Sequence, residues 1–129
     1  MVKRTFWLDR IEKEWERRSM EEPEGFLKSE IHGRIQTGRP PYWRNKSGHE
    51  IDFVWTAAGR PPIAIECKWS ADNADAKNIR VFRKQYPEGA NLIVAQDVNR
   101  SYRRSIAGLE LNFVNLEDLI DYLAAKKRV

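Results

Sequence analysis

The stretch GHEIDFVW at residues 48–55 and the run IAIECKW at residues 63–69 together decide the fold of this chain of 129 residues. In both runs apolar residues recur at every second position, which is the period of a β-strand. Gly59 and Pro61 lie between the runs and favour a turn, so the two runs predict neighbouring antiparallel strands. Each run nevertheless carries acidic residues in its middle, and the second run adds a lysine. These charges require either a solvent-exposed face or a chemical role.

Alternation assigns the charged side chains of the two strands to a single face. We expect Asp52 to lie beside Glu66 and Lys68 on that face. The opposite face is predicted to hold the side chains of Ile51, Phe53, Trp55, Ile63, Ile65, Cys67 and Trp69. Two carboxylates held a few ångströms apart repel each other and take up a proton unless a cation lies between them. A half-exposed antiparallel sheet would show the same alternation, with Glu66 and Lys68 as ordinary surface residues.

A divalent metal ion is one way to balance these acidic residues. Two carboxylates and a backbone carbonyl are hard oxygen ligands of the kind that Mg²⁺ prefers, and bound Mg²⁺ usually contacts phosphate as well. Asp52, Glu66 and Lys68 therefore suggest metal-assisted hydrolysis of a phosphodiester, in which the lysine orients water or stabilises charge. Glu50 shares the predicted face of Asp52, and the pattern assigns it no role.

The composition indicates one domain with a modest core and a strongly charged surface. Charged residues make up 33% of the sequence, the net charge is +4 and the pI is near 9.3, which is compatible with a polyanionic partner. The single cysteine, Cys67, excludes an intramolecular disulfide, and its apolar surroundings predict a buried thiol. No apolar run has the length of a membrane span, so we expect a cytoplasmic protein with no membrane association.

Periodicity and turn residues predict an α/β fold, with a mixed central β-sheet flanked by helices. The predicted helices cover residues 5–18, 26 to about 37, 76–86 and 116–126, the last with Asn115 as its N-cap. The predicted strands cover residues 42–44, 50–56, 63–69, 90–95 and 111–114, and a loop is predicted at residues 19–25.

The acidic pair and its surroundings resemble a known family. Asp52 followed by the ECK tripeptide across a hairpin, after a helix that carries Glu30, resembles the core of the PD-(D/E)XK nuclease superfamily. More narrowly, YWRNKSGHEIDFV at residues 42–54 and IAIECK at residues 63–68 are similar to the nuclease-like C-terminal domain of uncharacterised prokaryotic AAA-type ATPases. The resemblance covers roughly residues 24–97 and implies a restriction-endonuclease-like core.

This resemblance implies a nuclease that hydrolyses DNA with Mg²⁺ or Mn²⁺. It implies that Asp52 and Glu66 are metal ligands, with the carbonyl of Cys67 as a third ligand. Lys68 would be the catalytic lysine. Glu30 would be the further catalytic acid, on the helix before the sheet. The alternative is a catalytically inactive nuclease-like module that binds nucleic acid or a protein partner.

The chain departs from the family pattern at two points. Ile51 stands where the superfamily's name places a proline, a position that is loosely kept. The 129 residues contain no Gly-x-x-x-x-Gly-Lys-Ser/Thr phosphate loop, so we expect no ATPase module here. The match of Glu30 also has an alternative in the nearby Glu24.

We expect one nuclease-like domain over residues 1–129. It divides into an N-terminal helical extension at residues 1–20, the recognisable core at residues 24–97, and a C-terminal strand and helix at residues 98–129. Because each chain carries one predicted site, cutting both strands of a duplex would favour a homodimer.

Basic residues near the acidic pair predict contacts with DNA phosphates. The predicted DNA-binding residues are Arg44, Lys46 and Arg60, although each taken alone is more typical of a solvated charge. The wider basic rim is predicted to include Arg34, Arg39, Arg80, Arg83 and Lys84. His49 is predicted to be a solvent-facing turn residue, and Trp43, Trp55 and Trp69 are predicted to be packing residues.

Overall fold

The computed structural model describes residues 3–21, 43–56 and 59–128. The helices in these ranges are α1 (Lys3–Glu21), α2 (Lys77–Gln85) and α3 (Leu116–Arg128). The strands are β1 (Trp43–Arg44), β2 (Glu50–Ile51), β3 (Phe53–Trp55), β4 (Ile63–Lys68), β5 (Asn91–Ala95), β6 (Tyr102–Ile106) and β7 (Leu109–Val114). A short 3₁₀ turn occupies Ala71–Asn73, within the polar loop that follows β4.

Five strands form a mixed sheet in the order β3-β4-β5-β7-β6. The three central strands run parallel to one another, while the edge strands β3 and β6 pair antiparallel with their neighbours. The predicted hairpin between β3 and β4 is therefore confirmed, and so is the buried strand β5. Strands β1 and β2 form a separate two-stranded ribbon. The chain thus has the predicted α/β fold with a mixed central sheet.

Helices cover both faces of this sheet, so the core has two layers. Helices α1 and α3 pack on one face through Trp7, Ile11, Leu119, Ile120 and Leu123, against the alternate β4 side chains Ile63, Ile65 and Cys67. Helix α2 packs on the other face through Ile79 and Phe82, against Ala64, Ile93 and Phe113. In the described ranges no helix is long and apolar enough to cross a membrane.

The helices agree with their predicted periodicity. In α1 the buried residues Trp7 and Ile11 are four positions apart, which places them on one stripe of the helix. Helix α1 begins two residues before the predicted range of 5–18 and ends three residues after it. The predicted N-cap of α3 is confirmed, because Asn115 Oδ1 accepts a hydrogen bond of 2.8 Å from the backbone N–H of Asp118.

The predicted strand at residues 50–56 is interrupted at Asp52, where the chain bends between β2 and β3. Ile51 consequently packs on the α2 side of the sheet, whereas Phe53 and Trp55 pack on the side of α1 and α3. The prediction that these three residues share one face is therefore wrong for Ile51. Strict alternation holds only along an uninterrupted strand, and a bend of this kind reverses the faces on either side of it.

Strand β6 was not among the predicted strands. Its sequence YRRSI has four exposed residues, so it lacks the apolar alternation by which a half-buried strand is recognised. The turn between β6 and β7 has positive φ at Ala107 (52°) and Gly108 (81°), as expected for a tight two-residue hairpin. The second predicted helix, together with Glu24, Glu30, Arg34 and Arg39, lies outside the described residues.

Candidate functional site

At the bend at Asp52, hydrogen bonds between side chains and the backbone connect the chain to β4. Phe53 pairs with Ile65 in the regular ladder, so Asp52 and Glu66 occupy the next positions along the two strands. Here the backbone N–H of Asp52 donates to Glu66 Oε1 at 2.9 Å. In return, the backbone N–H of Cys67 donates to Asp52 Oδ2 at 2.8 Å. The bend and the meeting of the two acidic residues are therefore a single structural feature.

Both carboxylate residues are buried, and this excludes the surface interpretation of the charge pattern. Asp52 is 7% exposed and Glu66 is 5% exposed, so Glu66 is not an ordinary surface residue. Cys67 is fully buried, as predicted for its thiol. Lys68 lies half-buried at the end of β4, two positions beyond Glu66. The structure thus brings Asp52 and Glu66 together, with Lys68 at the adjoining end of the strand.

Two cations from α1 complete this cluster. Lys3 Nζ lies 3.3 Å from Asp52 Oδ2. Arg4 donates a hydrogen bond of 2.6 Å to Glu50 Oε2, and its guanidinium lies 3.6 Å from Asp52 Oδ1. Glu50, to which the sequence pattern assigned no role, is thus a partner of the N-terminal helix. We call Lys3, Arg4, Glu50, Asp52 and Glu66 the acid–base cluster.

The cations of α1 were missed by the sequence analysis, yet the sequence contains a signal for them. Helix α1 has no acidic residue in its first turn and instead begins with Lys3 and Arg4. Positive charge at a helix N-terminus opposes the helix dipole. A local conflict of this kind commonly indicates a tertiary partner elsewhere in the fold. Here that partner is the pair of acidic residues Glu50, in β2, and Asp52, at the bend between β2 and β3.

Burial and neighbouring charge change the protonation of the cluster. Burial, reinforced by the negative charge of Asp52, raises the pKa of Glu66 from 4.5 to about 7. The Arg4 hydrogen bond lowers the pKa of Glu50, with smaller contributions from the positive charges of Arg4, Arg44 and Lys3. Burial also raises the pKa of the Cys67 thiol, which keeps the thiol protonated at neutral pH.

The predicted DNA-binding residues separate into two places. Arg44 lies 3.8 Å from Glu50 and so borders the acid–base cluster. Lys46 is exposed in the turn that follows β1. Arg60 precedes β4 and lies at the opposite end of that strand from Lys68. It lines a cavity of about 230 Å³ with Trp55, Ile63 and Tyr122. The predicted grouping of Arg60 with Arg44 and Lys46 near the acidic residues is therefore not what the fold produces.

Other predicted surface residues differ from expectation. Arg83 is buried and hydrogen-bonded, so it does not belong to a basic rim. His49 is half-buried, and its Nδ1 lies 3.0 Å from Asn78 Oδ1. Trp69 packs against Phe6 with a ring distance of 4.8 Å, although 45% of it is exposed. Trp43 and Trp55 pack against the two core layers as predicted.

The fold and the cluster define an α/β protein with two buried carboxylates at a sheet edge. The chain matches the family model described as "Domain of unknown function (DUF4143)" over residues 24–116, which is more than half of its length. The chain therefore belongs to the DUF4143 family. No curated protein and no solved structure matches it. Helix α1, which supplies Lys3 and Arg4, precedes the matched region.

Proposed function

We propose that this protein is an Mg²⁺-dependent nuclease of the PD-(D/E)XK type that hydrolyses phosphodiester bonds in DNA. The observation that carries the proposal is the reciprocal hydrogen bonding between Asp52 and the Glu66–Cys67 segment. It holds two buried carboxylates at the same edge of the sheet, next to Lys68. The fold forms this arrangement although burying charged groups without compensation costs free energy.

The donor set fits a hard divalent cation. Asp52 and Glu66 each use a carboxylate oxygen to accept a backbone N–H, and a carboxylate retains further lone pairs for a cation. The side chains of the described residues contain no group of three or more His, Cys, Asp or Glu that could hold a metal. The PD-(D/E)XK resemblance would make the Cys67 carbonyl the third ligand and Glu30, which lies outside the described residues, the supporting acid. Oxygen ligands of this kind, few in number, suit Mg²⁺, which keeps several waters.

The remaining residues have distinct roles in the proposed reaction. A divalent cation at Asp52 and Glu66 would polarise the scissile phosphate and make a bound water more acidic. Lys68, which is half-buried at the end of β4, would orient the attacking water and stabilise the negative charge that develops on the phosphate. Arg44 and Lys46 would contact the DNA backbone without reading its sequence.

The strand order supports a restriction-endonuclease-like assignment of the core. The antiparallel hairpin β3–β4 and the bend before it carry the acidic residues and the lysine. On its other side, β4 pairs with β5 in parallel. The Lys68 end of β4 lies at the carboxyl edge of the parallel strands. Ligands of open α/β sheets commonly bind at that edge.

The test is cleavage of supercoiled and branched DNA by the wild-type protein and by Lys68→Ala, with Mg²⁺ or Mn²⁺ and with EDTA. We expect metal-dependent nicking by the wild type and a loss of about 100-fold or more in Lys68→Ala. Lys77→Ala removes an exposed lysine from the start of α2 and should cleave like the wild type. Equal inactivity of the wild type and Lys68→Ala, with no metal binding by calorimetry, would contradict the proposal.

A second candidate function is a catalytically inactive module that binds nucleic acid or a protein partner. The observation in its favour is that Lys3 and Arg4 already neutralise Asp52 and Glu50. These ion pairs compensate Asp52 and Glu50 without a metal ion. DNA binding by anisotropy that is the same with EDTA and with Mg²⁺, in a protein that does not cleave, would favour this function over the nuclease.

A further inference from the structure

Helix α1 contributes to the acid–base cluster although it lies outside the family match at residues 24–116. Its first two described residues reach acidic residues that are distant in the sequence: Arg4 contacts Glu50 in β2, and Lys3 contacts Asp52 at the bend between β2 and β3. Helix α1 is held in place further along by Trp7 and Ile11, which are buried against β4 and α3. The backbone that carries the two cations is therefore fixed beside the site.

We propose that Lys3 and Arg4 are DNA-contacting residues of the same site, which pair with Asp52 and Glu50 in the metal-free protein and turn to the substrate phosphates when the carboxylates hold a divalent cation. This inference rests on the proposed nuclease function. It assigns the N-terminal helix a part in substrate binding, beyond its part in packing.

Charge balance is the first argument. In the metal-free protein the buried Asp52 is compensated by Lys3 at 3.3 Å and by Arg4 at 3.6 Å. A divalent cation at Asp52 and Glu66 supplies that compensation instead. Lys3 then lies close to the added positive charge as well as to the carboxylate of Asp52, and like-charge repulsion weakens the Lys3–Asp52 pair. The net positive surface that results attracts phosphate groups.

The position of the side chains is the second argument. The Lys3 side chain is 31% exposed and the Arg4 side chain is 23% exposed, so both are at the edge of the cluster and border on solvent. Lysine is a compact charge on a flexible stem, and arginine presents a planar fork that matches phosphate oxygens. Both can move from carboxylate to phosphate by side-chain rotation while Trp7 and Ile11 keep α1 docked.

Lys3→Ala tests the inference through two measurements with opposite expected signs. The matched control is Lys13→Ala, which removes the same charge from the same helix but whose lysine pairs with Asp9 at 3.1 Å, away from the cluster. In calorimetry with Mn²⁺, Lys3→Ala should bind the metal about 2–10-fold more tightly than the wild type, because a competing cation has gone. Lys13→Ala should bind Mn²⁺ as the wild type does.

The second measurement is the affinity for a fluorescent DNA duplex over a series of salt concentrations, by anisotropy. Ca²⁺ is used as the divalent cation because it takes the same oxygen ligands, and intact DNA is verified on a gel. With Ca²⁺, Lys3→Ala should bind DNA more weakly, and the slope of log affinity against log salt should fall by about 0.9, which is one phosphate contact. With EDTA the variant should match Lys13→Ala.

A purely structural role for Lys3 gives a different result. Loss of a structural ion pair would loosen the cluster, so Lys3→Ala would bind Mn²⁺ more weakly, and this outcome overturns the inference. Equal behaviour of Lys3→Ala and Lys13→Ala in both measurements also overturns the inference. If the wild type still binds Mn²⁺ in that case, the proposed nuclease function stands. Absence of Mn²⁺ binding in the wild type contradicts the nuclease itself, and the inference with it.

Discussion

Among the residues that the structure describes, the fold buries charge in two regions, and it compensates the charge differently in each. The guanidinium of Arg83 is surrounded by neutral acceptors that belong to the protein framework. It donates to Asn91 Oδ1 at 2.8 Å and to the backbone carbonyl oxygens of Pro62, Tyr86, Glu88 and Ala90. The carboxylates of Asp52 and Glu66 accept one backbone N–H each, and Asp52 depends for the rest on the side chains of Lys3 and Arg4.

This difference separates a structural charge from one that is available for chemistry. Arg83 ties the turn before β4 to the loop between α2 and β5, and backbone acceptors cannot leave without unfolding that loop. Gly89 in the same loop has φ 127°, and a Cβ there would lie 2.1 Å from the Pro62 carbonyl oxygen, so the packing is closed. The cationic partners of Asp52, in contrast, are long side chains that another cation can replace.

The largest expected effect is on Arg83. Arg83→Ala removes the donor to the buried Asn91 Oδ1 and to the part-buried carbonyl oxygens of Pro62, Tyr86 and Glu88. Each such loss costs about 1–3 kcal/mol. We expect the free energy of unfolding, measured by urea denaturation, to fall by about 3 kcal/mol or more. Arg80→Ala, at an exposed position of the same helix, should change it by less than about 0.5 kcal/mol. Similar losses of unfolding free energy in the two variants would contradict a structural role for the Arg83 guanidinium.

The next effect is the pH dependence that Glu66 gives to stability. Its pKa is about 7 in the folded protein and near 4.5 when unfolded, so between these values the folded chain retains a proton that the unfolded chain has lost. Stability therefore falls as pH rises through this window, by about 3 kcal/mol in total, and is constant above it.

Urea denaturation from pH 4.5 to 8 in EDTA measures this slope. Glu66→Gln cannot titrate and should flatten it, whereas Glu110→Gln, at an exposed carboxyl group on β7, should retain it. The Arg83→Ala effect should be the same at both ends of the range, because its acceptors are neutral. A slope that survives in Glu66→Gln would show that another group is responsible.

The smallest expected effect concerns an exposed ion pair, whose contribution to the free energy of unfolding serves as a reference for the buried charges. Arg103 on β6 lies 3.0 Å from Glu110 on β7, and both side chains are largely exposed. Solvent screening limits such pairs, so Arg103→Ala should lower the free energy of unfolding by less than about 0.5 kcal/mol in urea denaturation. A loss comparable to that of Arg83→Ala would mean that burial does not determine the cost.

Parts of the fold and site were predictable because their signals are local. The alternation in β4 and the turn before it predicted the β3–β4 hairpin, and pairing in that hairpin brought Asp52 next to Glu66. Strand β6 was missed because an exposed edge strand has no apolar face to reveal it. The predicted sheet face of Ile51 was wrong because the alternation of apolar residues gives no sign of a bend at a single residue.

The sequence by itself determined which groups are available: two acids in neighbouring strands and a lysine two positions beyond the second. Only the tertiary structure decided that Glu66 is buried, that Glu50 and Asp52 pair with Lys3 and Arg4, and that Arg83 is enclosed by carbonyl groups. The physical reason is that the free energy of a charge depends on its surroundings. Those surroundings come from residues distant in the chain, which folding alone brings together.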